Sequence, residues 1–502
     1  MLEPFVQGFL DVFTFPAFPL MLLGVLIGFV VGVLPGIGGV TALALMLPFT
    51  QPMTPVETFA FLLGMLSVTA AAGDITSVLF GVPGEPVSAA VIIDGHPMAK
   101  KGEAGRALGA ALMSSLVGGI IGAFLLAAAI PIVRPLVLSF GAPEFFAMSL
   151  VGVAFVAALS GDNKLKGVLM GGLGLALSMV GTDQQSGIPR YTLGQVDLWD
   201  GVPLVAAVAG FFGIPEIVDL WMRGTSISNT RIGKLGGVWR GVKDTFSEWS
   251  LTLRCSVIGT FLGILPGLGG GVAQWMAYAH SVQSSKDKSG FGKGDVRGVL
   301  GPGAAMNSKE GGNLIPLLAF GVPNNVAMAL LLGAFLIKGL QPGPSMLTEH
   351  LDLTFFMVWL IVVSHVVVVG LSFLFLNQLV KVTLIRGNLL IPGILLLVFL
   401  GAFAERNSAF DFNVALVFGL LGLAMVHLDW PRPPIILGLV LGPLIERNLF
   451  ISYGRYEFGF LARPGVVAIL GAGLAVLLLP ALRGAAARAL GRREAVPDTQ
   501  QS

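Results

Sequence analysis

The sequence is poor in charge. Asp, Glu, Lys and Arg make up 12% of its 502 residues, about half the roughly 25% usual for globular domains. A soluble chain of this length divides into domains with charged surfaces, and there is too little charge here to coat them. The two signs nearly cancel, 30 basic against 28 acidic residues, which excludes the basic face that nucleic-acid binding requires. Cysteine is almost absent. Cys255 alone forms neither an internal disulfide nor a thiolate metal cluster, and its apolar surroundings mark it as buried filler. The opening MLEPFVQGFLDVF has no Lys or Arg, so no cleavable signal peptide is expected there. A G-x-x-x-x-G-K-[ST] nucleotide loop, an HExxH helix, a DDxxD pair and a GxSxG turn are all missing, so neither an ATPase nor a membrane-embedded enzyme is indicated. His280, His365 and His427 are isolated, and nothing groups them as metal ligands. His96 falls in a stretch read as a surface loop.

Apolar residue and glycine are abundant instead. Apolar residues make up 55% of the chain, with 69 glycines besides, about twice the ordinary glycine share of roughly 7%. Mean hydropathy is +0.86. A bilayer span needs about 20 apolar residues. Apolar runs lie near 107–130, 140–159, 165–182, 355–377, 388–403, 412–428, 433–445 and 465–480, with a shorter one near 202–214. Four more apolar regions are interrupted: 17–50 by LPGIGG, 57–93 by GVPGEP, 251–281 by LPGLGGG and 298–338 by GVPNN. The pattern predicts an all-α polytopic membrane protein of roughly 12 spans.

The interruptions pair up. LPGIGG at 34–39 matches LPGLGG at 265–270, an offset of 231, and LFGVPG at 79–84 matches AFGVPN at 319–324, an offset of 240. A third echo, GGLGLA at 171–176 against FGLLGLA at 418–424, follows in the same order. An internal duplication accounts for all three. Loop charge then gives its sense, because cytoplasmic loops are rich in Lys and Arg. Loop 51–56 has none and 94–106 carries Lys100, Lys101 and Arg106; in the second half 282–297 carries Lys286, Lys288, Lys293 and Arg297, and 339–353 has none. Corresponding loops face opposite sides, the pattern of two inverted-topology repeats with broken or re-entrant helices. Residues 1–214 form the first repeat, 215–250 a cytoplasmic linker, 251–482 the second repeat and 483–502 a cytoplasmic tail, with the N-terminus outside. The loop 446–464 is the misfit: it carries Arg447, Arg455 and Arg463 yet falls outside. Whether 17–50 and 251–281 are re-entrant or span twice stays open.

Irregular backbone at bilayer depth must be buried in protein or line a watery cavity, because unpaired N–H and C=O groups cost several kcal/mol each in lipid. Paired breaks in two inverted halves mark a transport site. Half-helix N-termini offer positive dipole ends to anions, and freed carbonyls with Asn, Ser and Thr oxygens suit Na⁺. The candidate substrate and ion site therefore draws on the breaks and their polar neighbours: Pro35, Gly36, Gly38 and Gly39; Asp74, Thr76, Ser77, Pro83 and Gly84; Pro266, Gly267, Gly269 and Gly270; and Asn307, Ser308, Lys309, Asn313, Pro323, Asn324 and Asn325. Asp74 and Asn307 are the candidate Na⁺ ligands. Lys309 and Glu310 either neutralise each other or, through Lys309, pair with a substrate carboxylate. Glycines elsewhere read as helix-packing positions.

The run DGHPMAKKGEAGRALGAAL at 94–112 resembles the signature of the TctA family, the large membrane subunit of tripartite tricarboxylate transporters. LPGIGG, GDITSVLFGVPG at 73–84, GKGD at 292–295 and the downstream GVP match in order, so the resemblance covers essentially the whole chain. It implies a carrier in the bacterial cytoplasmic membrane that works with a small membrane subunit of about four spans and a periplasmic solute-binding protein. It also implies uptake of a tricarboxylate or related acid on an ion gradient. The chain departs from the family at PGAAMNSKEGGN, 302–313, where Lys309 and Glu310 stand in place of small residues. Moving a trianion inward against 100 mV costs about 7 kcal/mol, so co-transported cations are required. Na⁺ suits the oxygens of the breaks better than H⁺ does. A passive anion channel and a non-transporting scaffold or sensor subunit are the competing readings.

Overall fold

The computed structural model describes residues 1–34, 38–85, 88–159, 164–183, 185–223, 235–265, 269–382 and 391–475. The described chain is helical apart from a two-residue-per-strand hairpin, β1 (Gly181–Thr182) against β2 (Pro189–Arg190). The first stretch contains α1 (Leu2–Val12), α2 (Ala17–Val33), α3 (Gly39–Met46, continued by the 3₁₀ turn Leu47–Thr50), α4 (Pro55–Phe80), α5 (Ala89–Lys100), α6 (Ala104–Leu138), α7 (Ala142–Leu159), α8 (Lys164–Ser178) and α9 (Leu204–Arg223). The second contains α10 (Val238–Ser247), α11 (Trp249–Ile264), α12 (Gly269–Ser284), α13 (Arg297–Phe320), α14 (Val326–Ile337), α15 (Leu351–Val382), α16 (Ile391–Arg406), α17 (Phe410–His427) and α18 (Pro433–Tyr456). A last helix, α19, runs over Pro464–Ala475.

Among the described residues six helices are long and apolar enough to cross a bilayer: α4, α6, α9, α15, α17 and α18. The α1–α2 pair, bent by 68°, is a seventh if it forms one span. Shorter apolar helices include α7, α11, α14, α16 and α19. This is an all-α membrane protein. The run read as a loop from 94 is helical as far as Lys100, so His96 is not a loop residue. It lies in α5, its Nδ1 3.2 Å from the carbonyl of Val78. The apolar AAVII that precedes it carries the helix through Pro97.

The local causes are visible at the ends of α4. Thr54 and Glu57 form a capping box, each side chain bonding the other's backbone N–H, with Pro55 in the first turn. The helix closes at Gly81, whose φ of +68° is left-handed; α13 closes at Gly321 with φ +66°. Residues 81 and 321 are related by the 240-residue offset of the sequence echo, and both breaks need glycine for the same reason.

Packing at the core is set by glycine. On α2, Gly24, Gly28 and Gly32 recur every four residues against the carbonyls of Phe61, Met65 and Thr69 on α4, so close that a Cβ would collide with each. On α11, Gly259 and Gly263 lie in the same way on Ala305 and Lys309 of α13, whose Gly312 faces the carbonyl of Thr260. Small residues at this spacing let two backbones approach closely in a lipid environment. The principal contacts also recur: α2 packs on α4 and α11 on α13, α9 on α17 and α18 on α8, α1 on α15 and α10 on α6. Helix lengths follow the same order, 26 and 24 residues for α4 and α13, 12 and 12 for α5 and α14, 35 and 32 for α6 and α15.

The α2–α4 contact gives a direct test. Gly28→Val drives a branched side chain into the Met65 carbonyl, and overpacking of this kind costs about 1–3 kcal/mol. Detergent-solubilised Gly28→Val is expected to melt several degrees below the parent chain. Gly172→Val, where a Cβ would meet open space, is expected to leave the melting temperature unchanged.

Candidate functional site

In the first half the two breaks touch. The backbone N–H of Gly39, the first residue of α3, donates to Glu85 Oε1 at 2.6 Å, and the Thr69 hydroxyl lies beside the same point. The Glu85 backbone is held by Ser88, whose Oγ donates to the Glu85 carbonyl at 2.8 Å and accepts from its N–H at 3.3 Å. Gly84 is wedged against the Gly32 carbonyl, Gly73 and Thr76. Thr76 and Ser77 direct their hydroxyls at the Gly73 carbonyl, at 3.0 and 2.9 Å, and Ser77 also meets Ser88 at 2.9 Å. These hydroxyls brace the break. Gly38 is different: a Cβ there would meet open space. Pro83 is half-buried. Asp74 is fully buried, and neither carboxylate oxygen has a hydrogen-bond partner among the described residues.

In the second half the equivalent positions carry a chain of hydrogen bonds. Lys309 Nζ donates to Glu310 Oε1 at 2.5 Å. Asn313 Nδ2 donates to Glu310 Oε2 at 3.2 Å, and Asn324 Nδ2 to Asn313 Oδ1 at 3.0 Å. Asn324 also donates to the carbonyl of Gly263. Asn325 Nδ2 reaches Asn324 Oδ1 at 2.9 Å, and Asn325 Oδ1 caps α14 by accepting the Met328 N–H at 3.0 Å. Pro323 is buried beside them. By the same offsets, Asn324 answers to Gly84, Asn313 to Gly73 and Gly263 to Gly32. One three-way contact is built from three glycines in the first half and from a glycine and two asparagines in the second.

The ionisable groups beside the two breaks lie within electrostatic reach of one another. Glu85 acts on Asp74, while Lys309 and Glu310 both act on Glu85. Glu310 acts also on His365, a buried histidine of α15 whose Nδ1 is 2.8 Å from the Ile361 carbonyl and whose Nε2 has no partner among the described residues. The set therefore has more carboxylates (Asp74, Glu85 and Glu310) than ammonium groups (Lys309). Asn307 and Ser308 pack against α6 and α11. Asn307 Nδ2 bonds Ser115 of α6, leaving its Oδ1 buried without a described partner, and Ser308 packs between Gly122 of α6 and Gly259 of α11. No described bond joins Asp74 to Asn307. Pro35, Gly36, Pro266 and Gly267 lie outside the described residues. Gly269 and Gly270 open α12. Glu85, Glu310 and His365 were not selected from sequence as site residues. The rule that singled out Asp74, that an ionisable group in an apolar span has a partner and a task, applies to each of them.

The 94–112 signature is a fastener between the halves. Asp94 is fully buried. Its Oδ1 accepts the backbone N–H groups of Gly294 and Asp295 at 2.8 and 3.0 Å, and its Oδ2 accepts the Tyr278 hydroxyl at 3.0 Å. Lys101 Nζ donates to the Lys293 carbonyl at 2.5 Å. Burial works to raise the Asp295 carboxyl, but its bonds to the side chain and backbone of Arg297 win and hold it below the usual carboxylate value. The loop is thereby pinned to the start of α13. A matching fastener ends α14: Lys338 Nζ donates to the carbonyls of Thr50, Gln51 and Met53 at 2.6, 2.9 and 2.7 Å.

The family model described as the tripartite tricarboxylate transporter TctA family matches residues 18–437. An uncharacterised 52.8 kDa protein from the TAR-I ttuC′ 3′ region of Agrobacterium vitis is 34% identical over 467 residues, 92% of this chain and 93% of that protein. A second uncharacterised Agrobacterium vitis protein, from the TAR-II ttuC′ 3′ region, is 33% identical over 232 residues, 45% of this chain and 96% of that protein. No solved structure matches.

The Asp94 fastener predicts a protease phenotype. Removing a buried acceptor of three bonds leaves its donors unpaired, at about 1–3 kcal/mol each. Asp94→Ala is expected to speed tryptic cleavage within 286–293, at Lys286, Lys288 and Lys293, several-fold in the folded protein. Unchanged cleavage with lost transport would place Asp94 in the solute site instead.

Proposed function

The chain belongs to the tripartite tricarboxylate transporter TctA family, and we propose that it is the large membrane subunit of a receptor-dependent, cation-coupled secondary carrier that imports an organic carboxylate. The observation that carries this is a set of ionisable groups beside the paired helix breaks: Asp74, Lys309 and Glu310, all buried, and Glu85, half-buried. A tricarboxylate or related acid entering that set brings negative charge to a place already rich in carboxylates. Cations must enter with it, to balance the site and to offset the membrane potential, which costs about 2.3 kcal/mol per charge per 100 mV. Unpartnered carboxylate and amide oxygens, with carbonyls freed at the breaks, suit Na⁺. Asp74 and Asn307 are its proposed ligands, and Lys309 pairs with Glu310 until a substrate carboxylate competes for it.

The two halves are read as inverted repeats, 1–214 and 251–482, joined by the 215–250 linker and followed by a cytoplasmic tail, 483–502. The recurrent order of helix lengths supports a duplication, and the reciprocal packing of α1 on α15 and α10 on α6 supports a two-fold relation between the halves. Side-chain bonds between loops support the assigned faces. Arg106 pairs with Asp244 at 2.6 Å and Lys101 bonds Lys293 on the Lys- and Arg-rich side. Arg190 pairs with Glu446 at 2.7 Å, Arg463 with Glu144 at 2.9 Å, and Lys338 with 50–53 on the other. In this reading the protein sits in the bacterial inner membrane with its N-terminus periplasmic and its C-terminus cytoplasmic. Its partners are a small membrane subunit of about four spans and a periplasmic solute-binding protein.

The test is uptake into proteoliposomes that hold the chain, the small subunit and the receptor encoded beside it. Radiolabelled mono-, di- and tricarboxylates are offered under imposed Na⁺, pH and potential gradients. One acid should accumulate and should leak out when the Na⁺ gradient collapses. Uptake that follows only the pH gradient would replace Na⁺ by H⁺, and equilibration without accumulation would make the protein a channel. Asp74→Asn is expected to abolish Na⁺-dependent accumulation with the protein still folded. Lys309→Met is expected to raise KM for the acid about tenfold or more, as loss of a charge-assisted hydrogen bond does.

A further inference from the structure

One cavity of about 380 Å³ opens beside the second break. Gly321, the left-handed end of α13, lines it, with Ser149 of α7 and Gln341 and Glu349 of the loop before α15. Helix α18 supplies one face through Leu444, Arg447, Asn448 and Ile451, spaced three and four residues apart. The loops around it are those assigned to the periplasmic face. Arg447 is the cation in its wall.

The three arginines that break the charge rule at 447–463 differ in what they do. Arg463 pairs with Glu144 at 2.9 Å, and Arg455 lies over the Tyr456 ring at 5.3 Å. Arg447 is exposed and makes no ion pair or hydrogen bond among the described residues. The adjacent Glu446 cannot serve it, because both its oxygens hold Arg190, at 2.7 and 3.1 Å. A guanidinium with its planar fork free is shaped for a carboxylate, and the apolar walls from Phe145, Phe320 and Leu444 suit a carbon skeleton.

We propose that this cavity is an outer subsite where the carboxylate solute, once released by the receptor, first binds this chain through Arg447, before it reaches the helix breaks. The proposal rests on the reading of the chain as a carboxylate carrier and adds the residue that captures the solute. Glu349, in the same cavity, keeps the binding weak. A staging site must be favourable enough to enter and loose enough to leave. The anomalous arginine is retained on the outer face because the solute is an anion.

The experiment replaces Arg447 by Cys in the assembled complex, where the native Cys255 is buried and silent. Arg447→Cys is expected to raise KM for the transported acid about tenfold with Vmax within about twofold, as loss of a group that binds solute without speeding transport does. A cationic methanethiosulfonate should restore KM and an anionic one of similar size should not. Equal effects of the two reagents, or a loss of Vmax at unchanged KM, would overturn the proposal and leave Arg447 a lipid-phosphate or packing residue. If the parent complex carries no acid at all, the carrier reading fails separately. The subsite is then judged in phospholipid-free detergent by whether millimolar di- or tricarboxylates slow thiol labelling of Thr348→Cys, a cavity-lining position, with Arg447 intact. Protection would uphold it and its absence would overturn it.

Discussion

A polypeptide that breaks its helices inside a hydrocarbon layer must find partners for the freed N–H and C=O groups within itself, because no water is there to take them. Most of what is distinctive in this protein follows from that demand. The first break is closed by Glu85 and Ser88 reaching back to backbone groups, the second by a relay of asparagines that ends on the Gly263 carbonyl and the cap of α14. Neither closure is possible unless the helices on either side lie almost in contact. The glycine rows of α2 and α11 allow that approach by removing the side chains that would hold the backbones apart. Low charge, abundant glycine and broken apolar runs are one property seen at three scales.

Comparing the halves shows two similar frames that carry different chemistries. The contact among residues 32, 73 and 84 is all glycine, and its counterpart among 263, 313 and 324 holds two asparagine side chains. The backbone course is held in both by a left-handed glycine, Gly81 or Gly321. The side chains are then free to differ. One half contributes two carboxyl groups, Asp74 without a partner among the described residues and Glu85 bonded to backbone, and the other a lysine, a glutamate and amides already bonded to one another. The two breaks thus differ in polarity despite their similar architecture.

The sequence made the frame legible and the side-chain partners much less so. The 231- and 240-residue offsets found the breaks, and the low charge found the membrane, because both depend on patterns longer than any one contact. His96 was read as a loop residue because His, Pro and Lys outweigh the apolar AAVII before them; packing against α4 overrides that local bias. Glu85 was passed over although it sits inside a break, since its partner Gly39 is 46 residues away and a main-chain donor leaves no mark in a sequence. Asn313, Asn324 and Asn325 were picked out as polar residues beside a break, but that they bond one another could not be read from their spacing. The signature around Asp94 pointed to a family and concealed its mechanical job for the same reason: the groups it binds at 294 and 295 are backbone amides.

The two fasteners that cross between the halves share that property. Asp94 reads amide hydrogens of the opposite loop, and Lys338 reads three carbonyl oxygens. In each, one side of the bond is a specific side chain and the other is a shape of main chain that many sequences can adopt. Mutational drift should therefore fall unevenly across each fastener. The aspartate and the lysine should be held fixed while the loops opposite them exchange residues so long as their course is kept, with Gly294 at φ +101° the exception that the course itself demands. Two halves joined in this way can diverge in composition for a long time without coming apart.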